Sequence, residues 1–168
     1  MPELQPDSQE ILVGVVSDTH GRLPPQVLQA LEGASMIIHA GDFNTPNVFE
    51  QLRQANQLVA VRGNTDYHDR LRALPYTEVV QVGEVFIYVI HDLLEMEIDP
   101  RAAGFAVVIH GHLHVPEVRE RQGVLYLNPG SPTSPRRGSS PGVAMLRIRG
   151  DRVRAYLIPF SEPHSPSF

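Results

Sequence analysis

After a polar lead, the chain opens on an unbroken apolar run, Ile11–Val16 (ILVGVV). Such a run, without polar alternation, predicts a strand buried on both faces. Apolar β-rich runs then alternate with helical patterns. Residues 24–32 predict a helix stopped by Gly33, Met36–His39 a second strand, and Pro46–Ala55 a second helix with Thr45 at its N-cap. Residues 58–62 predict a third strand. The second half is richer in strands: 78–82 and Val85–Ile90 flank a turn at Gly83-Glu84, followed by 105–109, Glu117–Arg121 and 124–127. Asp99-Pro100 predicts the cap and first residue of a short helix. Residues 142–148 and 152–158 predict a hairpin around Gly150-Asp151. An α/β start joined to a β-rich finish implies two stacked sheets with helices outside. Residues 11–158 are expected to form one domain, with flexible ends at 1–10 and 159–168.

Composition narrows the picture. The 168 residues, 42% hydrophobic and 20% charged, suit one globular domain with a sizeable core. No apolar run is long enough to span a bilayer. The polar, acidic N-terminus resembles neither a secretory signal nor a transit peptide, so a cytoplasmic location is expected. Cysteine is absent, which removes disulfides, thiolate ligands and a cysteine nucleophile. Every basic side chain is arginine. Without lysine there is no Schiff-base chemistry and no Walker-type phosphate loop. The net charge of −5 argues against a non-specific nucleic-acid coat and leaves room for a local anion site.

The candidate chemistry lies where strands end, the carboxyl edge at which open α/β sheets gather functional groups. ILVGVV is followed by Ser17-Asp18-Thr19-His20, MIIH by Ala40-Gly41-Asp42, and the third strand by Gly63-Asn64-Thr65-Asp66. VFIYVI is followed by His91-Asp92, and AVVI by His110-Gly111-His112-Leu113-His114. Each fragment alone reads as a turn or a cap. Five strand ends carrying Asp, Asn and His together form the donor set of a hard-to-borderline metal centre.

These segments, Asp18-x-His20, Gly41-Asp42, Gly63-Asn64, His91 and Gly111-His112-x-His114, resemble the five motifs of the calcineurin-like metallophosphoesterases. The SDTHG opening and Asn128-Pro129-Gly130-Ser131 are similar to its small YfcE-type phosphodiesterases. The resemblance runs from about residue 12 to 157. It implies a four-layer α/β/β/α sandwich of two mostly mixed sheets flanked by helices. It also implies a metal-dependent phosphodiesterase with two divalent ions, manganese most of all in vitro, with iron, zinc, cobalt or nickel also suited to these donors. Asp42 would bridge the ions, roughly 3.5–4 Å apart in such centres. Asp18, His20 and His114 would complete one site, and Asn64, His91 and His112 the other. A metal-bound hydroxide would attack phosphorus in line, with Asn64 and His91 among the catalytic groups and Asn64 also touching substrate. In extended backbone, residues two apart face the same way, so His112 and His114 would reach both ions from one edge. Gly111 would let the backbone approach closely.

Other positions carry competing readings. His39 and His110 either donate a ring N–H that orients a ligand or serve a structural role. Relatives carry a histidine after Gly-Asn that protonates the leaving group; Thr65 stands there, and His68 is the replacement candidate against a plain surface histidine. Asp92 stands where relatives commonly have glycine, either as a hydrogen-bond acceptor for a ligand histidine or as a solvated loop residue. The acidic residues 94–99 after it disfavour dianionic substrates and favour diesters. Arg136 offers a bidentate contact to a substrate phosphate, or is a solvated loop residue. The expected partners are a small phosphodiester or nucleotide-type substrate and a possible second copy of the chain. The competing function is a protein-binding scaffold on the same fold, as in the retromer relative.

Overall fold

The computed structural model describes residues 9–160. Its elements are β1 (Ile11–Val16), α1 (Pro25–Ala30), β2 (Met36–His39), α2 (Pro46–Ala55), β3 (Leu58–Ala60), α3 (Asp69–Arg72), β4 (Thr77–Val82), β5 (Val85–Ile90), β6 (Val107–Ile109), β7 (Glu117–Arg121), β8 (Val124–Asn128), β9 (Gly142–Arg149) and β10 (Arg152–Pro159). One sheet has the order β10-β9-β1-β2-β3 and the other β4-β5-β6-β8-β7. Both are mixed. In the first, β1 pairs parallel to β2 and β2 to β3, while β9 is antiparallel to β1. In the second, β6 lies parallel to both β5 and β8.

Alternation along the strands divides the core. Val13, Val15 and Ile38 face across to Ile87, Val89, Val107, Ile109 and Leu127 of the other sheet. Their neighbours Val16, Ile37 and Ala60 turn outward to Val27 of α1, to Leu31 just after it, and to Val48 and Leu52 of α2. Period-2 side-chain direction thus makes two apolar layers from one strand, which explains the unbroken run in β1. On the far side, Tyr88, Val108 and Tyr126 are covered by Leu93, Met96 and Phe105. That outer layer is a 3-10 turn, Leu93–Glu95, and loop rather than a long helix.

The sequence pattern and the structure differ at the edges. α1 is shorter than expected, with Pro24 as N-cap, and Gly33 turns the chain out at φ +88°. Thr45 occupies the N-cap of α2, but its hydroxyl makes no cap bond and is buried without a partner. β3 and β6 are three residues each, because backbone pairing stops where the chain turns toward the strand-end loops. Asp99 accepts from the backbone N–H of Arg101 and Ala102, as a cap should, yet the turn does not propagate into a helix. Pro159 pairs with Gly142 in β10 and Phe160 packs into the helical layer, so the last strand passes the expected boundary at 158. Residues 1–8 and 161–168, holding the remainder of the two expected flexible ends, lie outside the described residues. Among the described residues no helix is long and apolar enough to cross a membrane.

Candidate metal centre

Parallel pairing sets the carboxyl ends of β1, β2 and β3 on one edge of their sheet, and those of β5, β6 and β8 on one edge of theirs. The two edges meet. The His112 backbone N–H donates to Asp18 Oδ2 across the gap at 3.0 Å, and His91 Nε2 lies 3.0 Å from Asn64 Oδ1.

Two clusters form there. Asp18, His20 and His114 bring one ligand atom each within 4.8 Å of one another, and so do Asp42, His91 and His112. Asp42 Oδ2 lies 3.2 Å from His91 Nε2 and 3.8 Å from His20 Nε2, so it reaches both clusters. Asp18 Oδ1 is 3.2 Å from His114 Nε2. Asn64 Oδ1 sits between His91 Nε2 and His112 Nδ1, the latter at 3.2 Å. All seven expected ligand residues are therefore assembled.

Holding them there takes unusual backbone. Asp18, His20, Asp42, His112 and His114 all have positive φ, between +48° and +73°. Asp, Asn and His tolerate this region better than most side chains, and such conformations concentrate at functional sites. This corrects the extended-spacing expectation: β6 ends at Ile109, and His112 and His114 diverge to different clusters through left-handed turns. The close approach ascribed to Gly111 is real, since a Cβ there would lie 2.0 Å from Ser17 Oγ and 2.5 Å from Asp18 Oδ2. Gly63 is as constrained, against Asp42 Oδ1 at 2.1 Å.

The donor chemistry fits divalent cations. Asp18 Oδ1 is buried with no hydrogen-bond partner, a costly arrangement for a carboxylate oxygen. Ring atom Nδ1 of His91 faces Ala40 O at 2.7 Å, and that of His114 faces Ser134 O at 2.7 Å. Those carbonyls take the Nδ1 protons and turn both Nε2 atoms inward, the arrangement that orients ligand histidines. Burial raises the Asp18 pKa, but His114, His20, His91 and Ser17 overcome it and hold the carboxyl well below the usual range. Asp42 is lowered in the same way, chiefly through His91, against its own burial. Burial depresses His91, yet Asp42 and Asp18 prevail and lift it to about 9.

A cation held at His91 Nε2 would compete with that proton. Manganese uptake should release a proton, and apparent affinity should rise by up to about tenfold per pH unit from 6.5 toward 9. Titration calorimetry in buffers of different ionisation enthalpy reads that proton directly; pH-independent affinity would disprove the competition. In metal-stripped protein the His91 pairing adds stability that is complete below pH 6.5 and lost as pH rises through 9.

The surrounding expectations divide. His39 is fully buried, stacks on Phe43, accepts from the Gly41 N–H at Nδ1 (3.0 Å) and meets Thr19 Oγ1 at Nε2 (3.0 Å). It ties the two loops together rather than orienting a ligand ring. Burial depresses its pKa to about 3, so it stays neutral. Neither ring nitrogen of His110 has a partner, so it does not orient a ligand; burial lowers its pKa to about 4. Asp92 serves twice, capping the 3-10 turn through Leu94 N and placing Oδ2 3.7 Å from His112 Nε2. His68 is exposed and caps α3, its Nδ1 accepting from Arg70 N at 3.2 Å. Arg136 is exposed, with its backbone N–H on His114 O at 3.2 Å.

Asp66 went unassigned in the sequence. It is fully buried and accepts backbone N–H bonds from Asp42, Gly63 and Asn44 at 2.8–3.0 Å, binding two ligand loops into one unit. Its signal was present as a third polar residue after Gly63, but nothing local separates it from a turn aspartate. Thr65 donates its N–H to Asp42 Oδ1 at 2.9 Å, and Ser131 donates its hydroxyl to Asp18 O at 2.8 Å. Asn128 donates its side-chain amide to Gly111 O, shaping the floor beneath the histidines.

Fold and site together define an α/β sandwich with a cage of candidate metal ligands at the meeting edges of its sheets. The profile of the "Calcineurin-like phosphoesterase superfamily domain" matches residues 11–151, and the chain belongs to that family. It is 34% identical over 166 residues to a probable metallophosphoesterase of Methanocaldococcus jannaschii, covering 90% of this chain and 83% of the relative. It is 29% identical over 154 residues to phosphodiesterase YfcE of Escherichia coli, covering 77% and 84%. In fold it is also similar to vacuolar protein sorting 29 from Cryptosporidium parvum, at TM-score 0.71 and 21% identity over 91% of this chain and 99% of that one.

Proposed function

We propose that this chain is a phosphodiesterase working through two divalent metal ions. The observation that carries the reading is the pair of facing ligand clusters, with Asp42 reaching both and Asp18 Oδ1 buried among imidazole nitrogens without a donor. Asp18, His20 and His114 would hold one ion and Asn64, His91 and His112 the other, with Asp42 between them. Manganese is the ion of choice in vitro; iron, zinc, cobalt and nickel suit the same donors. When bound, such ions supply Lewis acidity and bring the pKa of a coordinated water toward neutrality. The Asn64 amide N–H is free to donate to a phosphoryl oxygen, since its Oδ1 faces the histidines. Arg136, whose backbone N–H bonds to His114 O, would offer its exposed guanidinium to the substrate phosphate.

Among the described residues, no side chain at the third-motif position carries a proton that is acidic near neutral pH, since Thr65 stands there. The Thr65 hydroxyl donates to Asn44 Oδ1 (2.6 Å), and His68 sits at the α3 cap with its Nδ1 accepting from Arg70 N. Aryl leaving groups should therefore depart far faster than alkyl ones. Since general-acid catalysis is worth about 10²–10⁴-fold, rates across a series of aryl and alkyl diesters should fall steeply with leaving-group pKa. A shallow dependence would reveal an acid elsewhere in the chain.

The test of the function is hydrolysis of bis(p-nitrophenyl) phosphate by chelator-stripped protein across a manganese titration. Saturable, manganese-restored turnover is expected. Folded protein with no turnover at any manganese concentration would favour the scaffold reading. That alternative has its own support in the loop after His91, where Leu94 is 94% exposed beside Glu95.

A further inference from the structure

At the opposite end of the first sheet from the ligand clusters, four arginines share one face. Arg149 pairs directly with Arg152 and Arg147 with Arg154 across the β9–β10 hairpin. They lie on the face that buries Met145 under the helical layer, beyond the reach of that layer, and are exposed. Like charges placed directly opposite in a sheet destabilise it. Glu10 is the one carboxylate in the set, 3.4 Å from Arg147 and 3.7 Å from Arg149. Among the described residues, no carboxylate lies within ion-pair distance of Arg152 or Arg154. The group lines a concavity of about 240 Å³ with Tyr156, whose ring Arg147 overlies at 5.1 Å. In a chain of net charge −5, the described lining of this concavity sets four arginines against one carboxylate.

We propose that this concavity binds a linear oligophosphate, as the triphosphate of a nucleotide or as inorganic tripolyphosphate. Two register steps along the strands and one strand spacing across them frame a patch of roughly 7 by 5 Å, the reach of a few linked phosphates. Guanidinium forks match phosphate oxygens two at a time, and a ligand with three or more negative charges neutralises the set. A nucleic-acid strand would need the positive stripe to continue, whereas the basic run ends with the hairpin. The patch is separate from the metal-facing clusters: from the Val15–Ala144 register to Arg149 is five residues, about 17 Å of strand.

The test is isothermal titration of the full-length chain, without added metal and at 0.15 M salt, with tripolyphosphate in one arm, ATP in a second and a single-stranded oligonucleotide in a third. Three variants accompany it: R147Q/R154Q, R149Q/R152Q and D42N. Saturable one-to-one binding by the wild type and D42N, weakened at least tenfold in both arginine variants, is the expected result. Tighter binding of ATP would assign the site to nucleotides through Tyr156, and tighter tripolyphosphate to the inorganic chain. Loss of binding in D42N with retention in the arginine variants would put the anion at the ligand clusters and overturn the proposal. So would the absence of saturable binding, or binding of a single-stranded oligonucleotide alone. Circular dichroism verifies folding of each variant, and hydrolysis of bis(p-nitrophenyl) phosphate should be unchanged in both arginine variants. Because binding is read without turnover, failure of the phosphodiesterase reading would leave this result standing.

Discussion

Replacing Asp42 with alanine should strip the protein of bound manganese and lower diester hydrolysis by at least about 10²–10³-fold, the scale on which one electrostatic group of an active centre is felt. The carboxylate is buried, its Oδ2 reaches His91 and His20 in different clusters, and its Oδ1 is fixed by the Thr65 N–H. No neighbouring side chain can move into that place, because Asp18 is committed to Ser17, the His112 backbone and His114. The loss should be electrostatic rather than a collapse of the fold, since Asp66 still binds the loop through the backbone of residue 42. Metal analysis of the purified variant and its turnover at saturating manganese are the two readouts. Near-wild-type values in both would remove Asp42 from the centre.

Gly111→Ala should do comparable damage by a steric route. The added methyl would stand 2.0 Å from Ser17 Oγ and 2.5 Å from Asp18 Oδ2, inside a fully buried pair. Ser17 donates to Asp18 Oδ2 at 2.6 Å, and the same oxygen accepts the His112 N–H, so relief of the clash breaks the contact joining the two sheets. Overpacking of this kind costs about 1–3 kcal/mol of stability. Misplacing Asp18 by an ångström should cost on the order of 10²-fold in rate. Denaturant unfolding and manganese affinity of the variant check the two parts. A variant with unchanged midpoint and affinity would show that the loop yields freely, contrary to its packing.

How far the chain alone predicts this molecule differs from element to element. The runs at Ile11–Val16, Met36–His39 and Val85–Ile90 announce strands because burial on two faces demands unbroken apolar sequence. The one-turn helix α3 was not legible, as four residues carry no periodicity. His68 is an acid candidate in the sequence because it follows Asn64 by four positions; its cap role, Nδ1 accepting from Arg70 N at the start of α3, shows only in the fold. His39 and His110 read alike as sequence, yet one is bonded at both ring nitrogens and the other at neither. That distinction depends on neighbours far away along the chain.

What the sequence determined was the order of the strands and the residue types waiting at their carboxyl ends. Both follow from local rules, the burial pattern of a strand and the donor preferences of metal ions. The tertiary structure decided which ends meet. Only the packing of two sheets brings Asp18 beside His114, 96 residues later, and His91 beside Asn64. Only the left-handed turns at Asp18, His20, Asp42, His112 and His114 aim those side chains into common clusters. Backbone of this kind is held by distant contacts such as Asp66 on three N–H groups and Asn128 on Gly111, and a contact between distant segments leaves no periodic trace in the sequence.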